Sequence, residues 1–268
     1  MLFLLVGCGG PDEDTLIDEL RVIAITAEPP EVAPGASTTL TATVVDPAQA
    51  GADLLLWTCT DLGDGCLEAA SPGMGTTLGT PTDGQLLTER TAPVELAGIV
   101  GDGVVLLPVF TWVLACVPGL CPIVDLAAGA PEPGSADGDA LAALLADPFT
   151  MVADLPLQGT SLAVATFSLS SRTAPVTNPL LTPTFDGVSA APEAAAMLGF
   201  DVVGGAQAYG YTTLGGFEMP AYDVVDGHVD LTWYAPVDGT PGQAVEFYVV
   251  VNGPDGGSAM WRGTGSVG

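Results

Sequence analysis

Ser37-Thr38-Thr39-Leu40-Thr41-Ala42-Thr43-Val44-Val45 decides the fold class. Leu40, Ala42 and Val44 fall on one side of a two-residue period, with Thr39, Thr41 and Thr43 on the other. That is the pattern of a strand with one face toward a core. Working outward, Leu20 to Thr26 alternates in the same way before Glu28-Pro29-Pro30-Glu31-Val32-Ala33-Pro34-Gly35 breaks it, and Asp53 to Cys59 reads as a third strand carrying Trp57. Farther on, Gly103 to Val124 carries no charge. Pro108, Pro118 and Pro122 interrupt it and no Lys or Arg flanks it, which argues against a membrane span. It reads instead as a buried strand from Val104 to Ala115, with Phe110, Trp112 and Leu114 on one face and Val109, Val113 and Ala115 on the other. Two apolar faces predict a central, covered strand.

The order of strand, Pro-rich kink, strand, Asp-Pro turn and strand with Trp resembles the opening of immunoglobulin-like domains in bacterial surface proteins. Leu162 to Ser170 reads as the last strand of this first unit, and a linker runs from Ser171 to Pro179. Beyond it, Leu181 to Val188, Gly199 to Val203, Ala208 to Leu214, Val229 to Tyr234, Val245 to Val251 and Ser258 to Trp261 are strand candidates. Trp233 takes the place that Trp57 has in the first unit. The 268 residues are 48% hydrophobic, with 35 Gly and 23 Pro, enough for two domains of roughly 100–150 residues each. The expected fold is all-β, with two immunoglobulin-like β-sandwich domains in tandem over residues 20–175 and 176–268. One short helix, Asp139 to Asp147, is expected in a loop of the first, capped by Asp139 and ended by Pro148.

Leu5-Val6-Gly7-Cys8 resembles the lipobox of bacterial lipoproteins. Only seven uncharged residues precede Cys8, short of a signal with its basic n-region and apolar h-region, so an upstream start is expected. The resemblance implies residues 1–8 as a signal remnant and lipobox, a lipidated Cys8 in the bilayer, and a flexible tether over 9–19. Gly9 after the cysteine implies the outer membrane. The lipobox, the Glu-Pro-Pro-Glu-Val-Ala-Pro-Gly segment, the Asn178-Pro179 linker and the Leu-Thr-Trp-Tyr-Ala-Pro stretch together resemble lipoproteins of myxobacteria and related deltaproteobacteria. That resemblance implies a fold and a location, and no activity.

The other four cysteines suggest disulfides in an oxidising compartment. Cys59 and Cys66, and Cys116 and Cys121, bracket turn-rich loops and are expected to pair locally; Cys59 with Cys116 is the alternative. Zinc is not indicated, because neither spacing is Cys-x-x-Cys and only one histidine exists.

Acidic residues number 32 against Arg21, Arg90, Arg172 and Arg262, with no lysine, for a formal charge of −28. Such a chain repels phosphate backbones, which argues against nucleic acid as a partner. Asp61 with Asp64, and Asp137 with Asp139, are weak Ca²⁺ candidates, since neither pair matches the EF-hand pattern; acidic turns in solvent are the default reading. Any Ser-His-Asp or Cys-His machinery would have to use His228, which reads as a surface residue beside a turn at Gly227. No Gly-x-Ser-x-Gly elbow is present, and Gly73 to Gly79 lacks the spacing of a dinucleotide loop. No catalytic residue and no cofactor is assigned, and no enzyme is expected. The sequence thus predicts a membrane-anchored, extracytoplasmic structural, adhesion or binding module of the cell envelope with a protein or glycan partner. The alternatives are a carboxylate-based secreted hydrolase and Ca²⁺-dependent adhesion.

Overall fold

The computed structural model describes residues 13–59, 77–92, 107–118, 160–170, 172 and 175–268. The protein is all-β, and its chain divides into two compact units. One holds residues 19–178 with 255–258; the other holds residues up to 18 with 179–254 and 259–268.

In the first unit, β1 (Arg21–Glu28), β2 (Glu31–Val32), β3 (Ser37–Val45), β4 (Asp53–Cys59), β5 (Thr77–Gly79), β6 (Gln85–Thr91), β7 (Leu107–Cys116) and β8 (Thr160–Leu169) form two sheets. One has the order β1-β3-β6 and the other β2-β8-β7-β4-β5. The alternation in β3 does what its pattern requires: Leu40, Ala42 and Val44 join one core cluster with Leu54, Leu56, Val109, Val113, Ala115 and Phe167. Each large apolar side chain so buried contributes on the order of 1.5–3 kcal/mol. β7 lies between β8 and β4. Trp112 and Leu114, on its second face, are buried as well, so the charge-free segment is a central strand over its described residues Leu107–Cys116. The β6 strand was not anticipated. Its sequence Gln-Leu-Leu-Thr-Glu-Arg-Thr is polar because it is an edge strand only partly covered.

In the second unit, β9 (Leu180–Pro183), β10 (Val188–Ala190), β11 (Ala195–Val203), β12 (Gln207–Thr212), β13 (Gly216–Phe217), β14 (Ala221–Asp223), β15 (His228–Tyr234), β16 (Ala244–Asn252) and β17 (Ser258–Val267) form sheets of order β10-β17-β16-β12-β14 and β13-β15-β11-β9. The single strand expected from Leu181 to Val188 is two, β9 in one sheet and β10 in the other, separated by Thr184 to Gly187. Phe200, Phe217, Trp233, Phe247 and Val245, Val249 and Val251 of β16 fill the core between the sheets. Trp233 is fully buried, and its indole N–H donates to Leu214 O at 2.9 Å. Gly215, at φ +72°, makes this possible: a Cβ there would collide with Tyr234 O and lie 2.9 Å from Trp233 Nε1.

The tether expected over 9–19 is corrected from Glu13 onward. Glu13–Thr15 form a 3-10 turn, and Thr15 and Ile17 are each only 1% exposed. Phe217 N donates to Thr15 Oγ1 at 2.8 Å, and Ile17 N donates to Thr212 O at 2.8 Å. Leu16 bridges Thr212 in the parallel sense. The acidic residues around this stretch hide a short apolar strip that completes the second unit.

Candidate functional site

The turn Val225-Asp226-Gly227-His228 places the sequence's one histidine. Asp226 and Gly227 both have positive φ, at 53° and 76°, the conformation a two-residue hairpin favours and an Asp-Gly pair supplies. Val225 N donates to His228 O at 2.9 Å, and His228 N to Val225 O at 3.0 Å. Strand pairing then sets Asp201 of β11 opposite His228. Asp230, two residues on, shares the same face.

The outcome is a three-residue cluster on the outer face of the sheet. His228 Nδ1 lies 3.0 Å from Asp201 Oδ1, and Nε2 lies 3.2 Å from Asp230 Oδ1. Hydrogen bonding to Asp201, then to Asp230, holds the imidazole pKa above its ordinary value, favouring the imidazolium that donates to both. The ring is 41% exposed, so solvent screens these pairs. The carboxylates occupy opposite ring nitrogens and therefore point at the ring rather than at a common centre. Among the described residues no group of three His, Cys, Asp or Glu is arranged to hold a metal ion. Gly199 keeps the cluster open: a Cβ there would sit 2.6 Å from Thr184 Oγ1 and 2.9 Å from Asp230 Oδ1.

Beside the cluster lies a depression of about 550 Å³, lined by residues of β12, β14, β15 and the segments around β14, among them Met219, Val225, Asp223 and Asp230. Tyr222 also lines it. The Tyr222 hydroxyl accepts from Met219 N at 3.1 Å and donates to Thr232 O at 3.4 Å; burial raises its pKa. Met219 is 45% and Val225 64% exposed, so apolar surface faces solvent between two acidic groups.

Cys8, Cys66 and Cys121, the weak Ca²⁺ candidates Asp61, Asp64, Asp137 and Asp139, and the expected helix all lie outside the described residues. In the register of β4 with β7, Cys59 opposes Phe110 and Cys116 opposes Asp53. The two cysteines are six residues apart along the pair, about 20 Å at strand rise, so the alternative pairing of Cys59 with Cys116 cannot form. Sequence reasoning placed His228 at a surface turn but found neither carboxylate partner. Asp230 was legible as the residue at i+2 on a strand; Asp201 was not, since its role depends on the β11–β15 register.

No family model matches the chain, and no curated protein matches it. Structural similarity is weak. The chain is 10% identical to latent PorU from Porphyromonas gingivalis over 93% of its length and 24% of that protein, at a TM-score of 0.24. Against a Salmonella alpha-2-macroglobulin the values are 9%, 96%, 16% and 0.24. Against SGBP-B of the Bacteroides ovatus mixed-linkage glucan utilization locus, solved with a heptasaccharide, they are 8%, 94%, 48% and 0.22. The chain spans less than half of each of these proteins.

Proposed function

We propose that this chain is a lipid-anchored, extracytoplasmic module of two immunoglobulin-like sandwiches that binds an envelope partner and catalyses nothing. The observation that carries the binding role is the depression beside the His228 cluster, where solvent-facing Met219 and Val225 flank β14 in the segments that join it to β13 and β15. Exposed apolar surface in a concave, polar-rimmed site is the usual mark of recognition. The Leu5-Val6-Gly7-Cys8 motif supports acylation at Cys8 and a bilayer as the second partner. Two acyl groups suffice for stable anchoring, with no basic patch required. The local disulfides belong to the same proposal, since Cys59 and Cys116 lie six residues apart along the β4–β7 pair. With Cys59 out of reach, the proposed partner of Cys116 is Cys121, leaving Cys59 for Cys66.

The test is chemical cross-linking of the full chain in intact cell envelopes, followed by identification of what is joined to it and mass measurement of its N-terminal peptide. A reproducible partner and an acylated Cys8 are expected. An unmodified Cys8 in a freely soluble protein, or the absence of any cross-linked partner, overturns the reading.

A further inference from the structure

We infer that the depression between β14 and β15 docks a cationic stretch of a protein partner, one presenting Lys or Arg side chains with their aliphatic stems; this rests on the binding role proposed above. Met219, Val225 and Ala221 offer apolar wall, while Asp223 offers a carboxylate at the same opening and Asp230, whose Oδ1 already faces His228, adds a second negative group. That combination suits a side chain apolar along its stem and positive at its tip. A sugar would need a broad aromatic face to stack on, and the one Phe, Tyr or Trp lining the site, Tyr222, is 6% exposed with its hydroxyl engaged. An anionic ligand meets the field of a chain with formal charge −28. The chain has no lysine to fill the site itself, and Arg172 and Arg262 are spent on Glu31 and Glu246. His228 at the rim is engaged by Asp201 and Asp230. The Asp223 carboxylate has no hydrogen bond or ion pair to the other described residues, so it is open to an incoming cation.

The experiment uses the full chain, labelled with ¹⁵N, titrated with a blocked peptide of alternating Leu and Lys in about 0.15 M salt, where charges beyond about 8 Å are screened. Amide shifts confined to Gln207 and residues 219–230 are expected, with no response to the matching Leu-Glu peptide. Asp223→Asn with Asp230→Asn should weaken binding about tenfold, and Met219→Ser with Val225→Ser should weaken it as well. Glu193→Gln with Asp238→Asn, two exposed acids elsewhere, should leave it unchanged. These are surface positions, so each variant keeps its native spectrum. Shifts scattered over the acidic surface, equal binding by the Asp223/Asp230 variant, or no binding overturn the inference. Cross-linking of that same variant in envelopes separates the two claims. If it still captures the partner of the natural chain, the binding role stands and this site falls; if neither chain captures anything, the binding role itself falls.

Discussion

Among the described residues, the main core cluster of the first unit is built of aliphatic side chains and that of the second is rich in rings. Among the described residues of the cluster built on β3, β4 and β7, Phe167 is the one aromatic residue beside Leu, Val, Ile and Ala, with Trp112 buried on the other face of β7. In the second unit, Phe200, Phe217, Tyr222, Trp233 and Phe247 share the core. The rings meet edge to face: Trp233 and Phe247 lie 5.0 Å apart at 86°, and Phe200 and Trp261 lie 5.1 Å apart at 70°. Such pairs add about 0.5–1.5 kcal/mol beyond the area they bury. Two sandwiches of one chain thus close their interiors by different means. One relies on many small interchangeable groups, the other on a few large rings that glycines such as Gly210 and Gly215 must make room for.

The sharpest way to break this contrast is Trp233→Ala. It removes the largest buried ring and its bond to Leu214, and should cost about 3–5 kcal/mol. Hydrogen exchange should show protection lost across β9–β17 and kept in β1–β8; equal loss in both units would mean the cores do not stand separately. Next in size is an ionic feature of the first unit. Glu31, its side chain 2% exposed, meets Arg172 Nη2 at 2.9 Å and accepts from Val176 N at 3.0 Å. Burial pushes its carboxyl up, but hydrogen bonds from Ser170, Val176 and Arg172 outweigh this and hold the pKa below the ordinary 4.5. Since the folded value is depressed, the stability gained is present above the unfolded pKa and is lost as pH falls through the folded one. Glu31→Gln should therefore destabilise the first unit by about 2–3 kcal/mol near neutrality, less than a fully buried pair because Arg172 is partly exposed. It should also flatten the acid limb of a pH-melting curve. An unchanged acid limb would show that other carboxylates set it. The smallest effect is expected from Asp201→Asn in the second unit. It should lower the His228 titration midpoint followed by proton NMR, with the melting temperature scarcely altered because the cluster is exposed.

Strands whose two faces see different surroundings were legible from period alone. β3 and β15 match their expected spans to within about a residue, because burial on one face forces alternation in sequence, while β16, buried on both faces, was legible as a continuous apolar run. β5, β13 and β14 escaped notice, since two or three residues are too few to show any period, and the edge strand β6 is polar through Thr88, Glu89 and Arg90. At the candidate site, His228 and its turn could be read locally. The residues that complete the site come from β11, β12 and β14, and only the sheet register unites them.

The strip from Thr15 to Ile17 has a mechanical consequence. Tension applied to the chain at Glu13 would not run straight into β1. It would first load the bonds from Phe217 N to Thr15 Oγ1 and from Ile17 N to Thr212 O, beside a strand running in the same direction. Bonds in such a parallel arrangement share a lengthwise pull and yield together rather than unzipping singly. A pull at Glu13 would therefore be met at Thr212 and Phe217 before it reached β1.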